Sequence, residues 1–404
     1  MKISVFNEIG KLKTVLLHRP SSEVENITPS TMERLLFDDI PYLKVIKEEH
    51  DAFADLLRSH GTEVLYLEKL LAQSLSSSSV KEQFLEEFIT EADINNSYDR
   101  DAVKDYLSNI QDIDEFVLKL MSGVRKDIEV QLKKDSLNYI INKNYPFIAD
   151  PIPNLYFTRD PFATIGNGIS LNHMYSTTRN RETLFAKYIF KYHPLFKQED
   201  IPFWYDRIEN NSIEGGDIIV LNENTLCVGV SQRTNAGAVE KLAKNLFNGD
   251  SGYSKILAFK IPAERSFMHL DTVFTQINHS QFTVHGGIVG PLSVYEITGN
   301  KGGLSIHDKN ESIDQILQPY CPEKVEIIYC GGGDKIIGSR EQWNDGSNTL
   351  CIQPGEVIVY ERNYVSNRIL QDRGVITHEI KGSELSRGRG GPRCMSMPLI
   401  REKI

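Results

Sequence analysis

The sequence lacks long apolar runs and paired cysteines, and each absence excludes a class of protein. None of its hydrophobic stretches approaches the roughly 18 residues that cross a bilayer. The N-terminal segment MKISVFNEIGKLK carries charges where a signal peptide is apolar. The five cysteines are scattered and form no Cys-x-x-Cys pair, so neither a disulfide framework nor a structural zinc site is indicated. We therefore expect a cytoplasmic protein with reduced thiols and no membrane partner.

The chain also has too little positive charge for a protein that coats nucleic acid. Its 404 residues include 45 Lys and Arg against 55 Asp and Glu, which gives a formal net charge of −10. This acidic balance argues against a nucleic-acid partner and is compatible with a small cationic ligand. Hydrophobic residues make up 40% of the sequence, enough for a buried core, so wholesale disorder is excluded.

Local pattern divides the chain into three zones. Residues 1–74 indicate a strand–helix–strand unit, with strands at 14–17 and 64–67 around an amphipathic helix. Residues 75–147 contain apolar positions at helical spacing and almost no glycine, which predicts an inserted helical subdomain. Residues 148–404 contain short β-branched runs between glycine pairs. This last pattern is typical of repeated ββαβ units and predicts that the third zone completes an α/β body.

Cys394 is the strongest candidate nucleophile. A thiolate is the most nucleophilic side chain near neutral pH, and neighbouring charges control its formation. The segment SRGRGGPRCMSMPL surrounds Cys394 with arginines and with glycines that allow a ligand to approach the backbone. Most lone cysteines are small buried hydrophobes, as we expect of Cys227 and Cys351 inside apolar strand runs. The sequence alone leaves both interpretations of Cys394 open.

His269 and Asp271 form a second candidate group in the segment FMHLDTVF. This segment predicts a strand, on which residues two apart point to the same face. Such a pair can be a general acid/base, a metal site or, more commonly, a buried structural pair. Glu214 and Asp217 flank a glycine doublet before another strand, and Asp160 precedes a proline, where a turn is the default.

These groups admit two chemistries that spacing cannot separate. In one, Cys394 and His269 act together while carboxylates hold a cation, and the thiolate attacks a guanidinium-type carbon. In the other, His269, Asp271, Glu214 and Asp217 hold a metal ion that activates water, and the cysteine is a bystander.

Eight motifs in order make the sequence similar to the bacterial-type arginine deiminases along nearly its whole length. They are EIGKLKTVLLHRP, LLFDD, NLYFTRDPF, RNRET, EGGD, SQRT, FMHLDTVF and GRGGPRCMSMPL. The resemblance implies a pentein fold, an α/β propeller of five ββαβ units around a pseudo-fivefold axis, with a helical insertion. It also implies a hydrolase of arginine catabolism that converts free L-arginine to L-citrulline and ammonia through a covalent amidino-cysteine (thiouronium), without a cofactor or metal.

The resemblance further implies a role for each site residue. Cys394 would be the nucleophile and His269 the general acid/base, oriented by Glu214, while Asp160 and Asp271 would grip the guanidinium group. The same two carboxylates should raise the pKa of the thiol until the cationic substrate arrives. The remaining residues would bind the rest of the substrate: Asn154, Arg179 and Arg233 at its α-carboxylate end, Phe157 along its stem, the Leu36 main chain near its amino group, Asp217, and Arg389 as a mobile gate.

Some features leave the activity or the assembly open. Pro392 and Arg393 stand where some family members carry Gly and His, and we expect this difference to leave the chemistry unchanged. Agmatine or peptidyl-arginine deimination, amidino transfer, and non-catalytic arginine binding are the alternatives. A homo-oligomer is also considered, although the sequence does not fix the oligomeric state.

Overall fold

The computed structural model describes residues 1–94, 96–288, 292–300 and 303–404. These residues form small mixed sheets bordered by helices, so the predicted α/β class is confirmed. The strands are β1 (Leu12–Leu17), β2 (Glu63–Tyr66), β3 (Val124–Arg125), β4 (Phe147–Ala149), β5 (Phe162–Ile165), β6 (Gly168–Leu171), β7 (Phe203–Tyr205), β8 (Ile218–Asn222), β9 (Thr225–Val230), β10 (Lys255–Lys260), β11 (Phe274–Gln276), β12 (Gln281–Val284), β13 (Ser293–Asn300), β14 (Gly303–Lys309), β15 (Glu326–Tyr329), β16 (Leu350–Gln353), β17 (Glu356–Tyr360), β18 (Ile376–Ile380) and β19 (Met397–Arg401).

The helices lie mainly between these strands, and many are a single turn. They are α1 (Ser22–Glu25), α2 (Met32–Leu35), α3 (Leu43–Ser59), α4 (Leu67–Ser74), α5 (Ser78–Glu91), α6 (Ser97–Ser108), α7 (Ile113–Ser122), α8 (Leu137–Ile141), α9 (Thr177–Asn180), α10 (Glu182–Tyr192), α11 (Ala236–Asn248), α12 (Leu270–Val273), α13 (Ile313–Leu317), α14 (Lys335–Trp343) and α15 (Tyr364–Asp372). Within the described residues, no helix is both long and apolar enough to span a membrane.

Most strands belong to three-stranded groups that share one topology. In each group the middle strand runs antiparallel to one neighbour and parallel to the other, with helix in the parallel crossover. The groups are β19–β1–β2, β5–β6–β7, β8–β9–β10, β11–β12–β15 and β16–β17–β18. The hairpin of β13 and β14 extends the third group beyond β10. Because β19 pairs with β1, the two ends of the chain share one sheet.

The first zone follows its hydrophobic pattern closely. Helix α3 buries Ile46, Phe53 and Leu57 on one face, as the periodicity predicts. The second strand ends at Tyr66, so the prediction that it includes Leu67 is wrong. Leu67 instead begins α4, where Leu70 and the residues after it continue a buried stripe of helical spacing.

Residues 75–147 contain the helices α5 to α8. Their buried stripes, such as Val117 and Leu120 on α7, pack into the same hydrophobic core as the strands that follow. Phe84 of α5, for example, contacts Phe185 of α10 edge to face, with ring centroids 5.7 Å apart. The short antiparallel pair β3–β4 lies across the end of this zone, and the helical periodicity gives no sign of it.

Candidate active site

Cys394 lies in the loop that leads into β19, and its side chain is buried. Its backbone N–H donates to Oδ1 of Asn348 at 3.0 Å, which fixes the loop, and its Sγ lies 3.6 Å from Oδ2 of Asp271. Burial, together with the negative charges of Asp271 and Asp160, raises the pKa of the thiol well above its ordinary value. Without a cationic ligand, burial and these charges therefore disfavour the thiolate of Cys394.

His269 does not lie on a strand, so the predicted strand geometry of His269 and Asp271 is wrong. His269 is the N-cap of α12, whose first residue, Leu270, donates its N–H to Oδ1 of Asp217 at 2.8 Å. The Thr272 hydroxyl also donates to the His269 carbonyl at 2.7 Å. These polar bonds make a helical turn before β11 begins, a local competition that hydrophobic periodicity does not register.

Glu214 fixes the imidazole of His269, whose Nε2 lies 2.8 Å from Oε2 of that carboxylate. The ring fits closely against Gly216, where a Cβ atom would come within 2.6 Å of Nδ1. Burial alone would favour the neutral forms of both His269 and Glu214. The carboxylates of Asp160 and Glu214 nevertheless raise the pKa of His269, and the bond to His269 and the charge of Arg233 lower the pKa of Glu214. The pair therefore favours an imidazolium beside a carboxylate.

Asp160 and Asp271, which we call the buried carboxylate pair, have matching environments. Oδ2 of Asp160 accepts from Nη1 of Arg179 at 2.8 Å, and Oδ2 of Asp271 accepts from Nη1 of Arg393 at 2.7 Å. In each carboxylate the second oxygen, Oδ1, is buried and accepts no hydrogen bond from the described residues. An unpaired buried acceptor costs about 1–3 kcal/mol, so both oxygens favour a ligand that donates N–H groups.

Arg393 is the site residue whose role the sequence analysis missed. Its guanidinium is buried and bridges Asp271 to Glu8, with Nη2 lying 2.9 Å from Oε1 of Glu8. The expectation that the difference at Pro392 and Arg393 leaves the chemistry unchanged stays a prediction, although Arg393 contacts one of the two carboxylates. The only sequence signal was its place next to Cys394, because both acidic partners are distant along the chain.

Arg233 and Arg179, both predicted to hold an α-carboxylate, differ in their surroundings. Arg179 is buried against Asp160 and Glu182, and its Nη2 lies 2.8 Å from Oε2 of Glu182. Arg233 is also buried, but within the described residues it forms no ion pair and its Nε has no hydrogen-bond partner. Of the two guanidinium groups, Arg233 is therefore the one with hydrogen-bonding capacity left for an anion.

Asn154, Leu36 and Phe157, which were also predicted as substrate-binding residues, contact other parts of the protein as follows. Asn154 donates its Nδ2 to the carbonyl of Leu35 at 2.6 Å, beside Leu36, which has a left-handed backbone with φ of 60°. Phe157 packs directly against Gly390, where a Cβ atom would collide with its ring. Its ring therefore supports the loop that carries Cys394.

Arg389 and Asp217, both predicted as substrate-binding residues, contact other side chains of the protein. Arg389 stacks on Trp343, with its guanidinium carbon 3.5 Å from the ring centroid. Asp217 is fully buried, and its Oδ2 accepts hydrogen bonds from the hydroxyls of Ser231 at 2.7 Å and Thr234 at 2.6 Å. Its Oδ1 accepts the hydrogen bond from the Leu270 N–H at the start of α12. Both Asp217 oxygens thus serve the scaffold, which indicates that this residue positions His269 indirectly.

A metal ion fits this arrangement poorly, although ligand atoms of Asp160, Glu214 and His269 lie within 4.8 Å of one another. Nη1 of Arg179 is 2.8 Å from Asp160 and 3.9 Å from Glu214. A guanidinium group therefore already supplies the positive charge that an ion would bring. The geometry favours the first of the two chemistries, in which carboxylates hold an organic cation beside a thiol.

Comparison with known proteins agrees with this site. The family model described as arginine deiminase matches residues 33–401. The chain is 56% identical over 407 residues to an arginine deiminase of Clostridium perfringens and 52% identical over 405 residues to one of Borrelia duttonii, covering 100% of this chain and 98% of each relative.

Two solved structures of low sequence identity share the fold. One is the N-terminal domain of ArgZ covalently bound to a reaction intermediate, at a TM-score of 0.55 and 13% identity over 96% of this chain and 98% of that one. Another is an adduct of dimethylarginine dimethylaminohydrolase with S-methyl-L-thiocitrulline, at a TM-score of 0.52 and 14% identity over 96% and 99% of the two chains. From the family match and the relatives above half identity, the chain belongs to the arginine deiminase family.

Proposed function

We propose that this protein hydrolyses free L-arginine to L-citrulline and ammonia through a covalent amidino-cysteine. The observation that carries the proposal is the buried carboxylate pair beside the thiol of Cys394. In each carboxylate, one oxygen is bound to an arginine and the other accepts no hydrogen bond from the residues that the structure describes. A guanidinium group supplies planar N–H donors and a positive charge, which together match these oxygens.

Substrate binding prepares the nucleophile. The guanidinium group of arginine stays protonated, and its resonance makes the central carbon a poor electrophile. The buried carboxylate pair holds this group in plane, so that Cys394 can approach its carbon from one face. The arriving cation offsets the carboxylate charges that raise the thiol pKa. We therefore expect bound arginine to promote ionisation of Cys394.

The covalent step uses the His269–Glu214 pair. The Cys394 thiolate, whose proton passes to solvent when arginine binds, bonds to the guanidinium carbon, and protonated His269 gives its proton to the departing nitrogen, which leaves as ammonia. The product is a thiouronium on Cys394. Neutral His269, held by Glu214, then takes a proton from water as that water attacks the same carbon. Cleavage of the carbon–sulfur bond releases citrulline and restores the sulfur for the next cycle.

The α-carboxylate of arginine explains why the protein would prefer arginine to guanidines that lack this group. Buried Arg233, without a carboxylate partner in the described structure, suits the α-carboxylate. We assign Arg179 and Asn154 to the same end, Phe157 to the aliphatic stem and the Leu36 main chain to the amino group. Arg389, stacked on Trp343, is assigned as the gate. Agmatine lacks the carboxylate that Arg233 would bind.

The test compares products and adducts. Purified protein should release citrulline and ammonia from L-arginine, and far less ureido product from agmatine or a blocked arginine peptide. Acid quenching during turnover should leave an amidino group on the Cys394 peptide, detected by mass spectrometry and absent from Cys394→Ser. Inhibition by chelators without inhibition by alkylating agents would instead support a metal hydrolase. Stoichiometric arginine binding without turnover would support a binding module.

We also propose how the strand groups are arranged, where the protein acts and how it assembles. The three-stranded groups would be arranged around a pseudo-fivefold axis, built from 1–74 and 148–404, with 75–147 as the helical insertion. Their common topology supports this arrangement. The protein would act in the cytoplasm, where Cys394 stays reduced, and as a homo-oligomer. Light scattering after size-exclusion chromatography tests the assembly, and a monomer at working concentration would contradict it.

A further inference from the structure

We propose that His60, Glu356 and His378, here called the surface histidine cluster, form a binding site for one transition-metal ion of the Zn²⁺ type. His60 follows the last residue of α3, Glu356 begins β17 and His378 lies on β18. One ligand atom from each of these residues lies within 4.8 Å of the others. Nε2 of His60 is 3.4 Å from Oε1 of Glu356, and Nε2 of His378 is 2.5 Å from the same oxygen.

The hydrogen bonds around His60 orient it as a metal ligand. Its Nδ1 lies 2.8 Å from the carbonyl oxygen of Leu56, which can only accept, so Nδ1 carries a proton. In the neutral ring, Nε2 then points a lone pair at the Glu356 carboxylate. Two acceptors that face each other need a proton or a cation between them. A ring N–H bound to a backbone carbonyl, with the other nitrogen facing outward, is the usual arrangement of a metal-binding histidine.

Glu356 is held in place in a similar way. Its Oε2 accepts a hydrogen bond from the side-chain amide of Gln353, which leaves Oε1 directed at both imidazoles. Its side chain is only 9% exposed, whereas those of His60 and His378 are 29% and 23% exposed. Within the described part of the chain, Glu356 forms no ion pair with Lys or Arg. The carboxylate therefore lacks the fixed cation that the carboxylates of the active site have.

The spacing suits zinc more closely than calcium or magnesium. Zinc bonds of about 2.0–2.1 Å in a tetrahedron separate neighbouring ligand atoms by about 3.3 Å. The His60–Glu356 distance of 3.4 Å agrees with this spacing. His378 would have to withdraw from Glu356 by less than about 1 Å, and its partial exposure permits that. Two imidazoles and one carboxylate favour zinc-like ions, because calcium and magnesium prefer oxygen ligands.

The site would join distant parts of the chain. α3 belongs to the first strand group, and β17 and β18 belong to the last, so a bound ion would connect the two by three bonds. Because the unfolded chain does not hold these residues together, binding should stabilise the folded state. A fourth ligand position would take water.

The test is a titration of the chelator-treated full chain with zinc chloride, followed by isothermal calorimetry and thermal unfolding. We expect one zinc ion per chain and a higher melting temperature. The variants His60→Gln, Glu356→Gln and His378→Gln should each bind at least about 100-fold more weakly, since even outer hydrogen-bond partners of ligands are worth 10–100-fold. His279→Gln removes an exposed histidine outside the cluster and should bind zinc like the unchanged protein.

Two further readouts make the result decisive. Unfolding of each variant without metal verifies that it folds, so that lost binding is not lost structure. Cobalt substitution should give a visible spectrum without a thiolate charge-transfer band, because the surface histidine cluster contains no cysteine. Equal zinc affinity in the unchanged protein and the three variants would overturn the proposal. A cobalt–thiolate band at one ion per chain would also overturn it, since that ion would lie at a cysteine.

Discussion

Imidazole and carboxylate groups converge in two regions of this protein, and the two regions differ in what neutralises the carboxylates. In the active site, Arg179 and Arg393 each hold one oxygen of the buried carboxylate pair, and the side chains involved are almost fully buried. At the surface histidine cluster, Glu356 forms no ion pair with Lys or Arg among the described residues and lies against His60 and His378, both partly exposed.

The difference shows that similar donor groups can serve different ligands. Fixed guanidinium groups satisfy part of the charge and leave individual oxygens in a plane, which suits a planar organic cation that donates several hydrogen bonds. Imidazole nitrogens without a fixed cation leave lone pairs that converge on a point, which suits a metal ion. The position of the arginines therefore determines which ligand each region favours.

Replacing the nucleophile should produce the largest effect and separate the two regions. Cys394→Ser removes the sulfur that forms the thiouronium, so citrulline production should fall by about 10⁴-fold or more. Zinc binding measured by calorimetry should not change, because the surface histidine cluster lacks cysteine. Residual turnover above about 1% of the unchanged protein would contradict the covalent mechanism.

Removing an active-site arginine should destabilise the fold more than removing a surface one. Arg393→Met leaves Asp271 and Glu8 buried without their shared cation, so the free energy of unfolding should drop by about 3–5 kcal/mol. Urea denaturation measures this loss. Arg58→Met breaks an exposed pair with Asp55 and should cost less than about 1 kcal/mol. Equal losses in the two variants would show that Arg393 is not a structural partner of the carboxylates.

Arg233 tests whether a buried guanidinium that forms no ion pair with the described residues serves the substrate. Arg233→Ala removes charge-assisted hydrogen bonds worth about 1.5–3 kcal/mol, so KM for arginine should rise by roughly 10–100-fold. The value of kcat should change much less, and Arg233→Lys should recover part of the affinity. Steady-state kinetics separate these quantities. A loss confined to kcat would exclude Arg233 from the α-carboxylate site.

These arginines also mark how far the sequence could predict the site. Basic and glycine-rich neighbours made Cys394 a candidate nucleophile. His269 and Asp271 were predicted to share one face of a strand, whereas the structure has a helical turn there and pairs His269 with Glu214. The contact of Arg393 with Asp271 joins residues far apart in sequence, so no local pattern reveals it. His60 and His378 are likewise brought together only by packing of α3 on the last strand group.

The same distinction applies to the fold. Regular helices such as α3 and the alternation of strands could be predicted, because burial repeats along one element with a fixed period. The pairing of β19 with β1 and the short β3–β4 pair depend on contacts between elements. Hydrogen bonds to side chains, such as the one that the Leu270 N–H donates to the carboxylate of Asp217, stabilise the turn at α12 and leave no periodic signal.

The ionisation of the thiol tests the electrostatic part of the comparison. Iodoacetamide should alkylate Cys394 in the empty protein with a midpoint well above the ordinary pKa of a thiol, because burial and the neighbouring carboxylates raise the pKa of Cys394. Asp271→Asn removes one negative charge, which should favour the thiolate and lower the midpoint. Peptide mass spectrometry at each pH identifies the modified cysteine. A midpoint below pH 7 in the unchanged protein would contradict ionisation assisted by substrate.

The smallest effect is expected at the surface histidine cluster. Glu356→Gln keeps a side chain of the same size but removes a mostly buried charge that is bound to His378 and Gln353, so without metal it should lower the free energy of unfolding by about 1–3 kcal/mol. Citrulline production should stay within about two-fold, because these bonds of Glu356 involve no active-site residue. With zinc present, however, the unchanged protein should melt at a higher temperature and the variant should not. If Glu356→Gln lost turnover as strongly as an active-site variant, the two regions would be energetically coupled. If zinc binding and turnover respond independently, the charges around each region determine which ligand it binds.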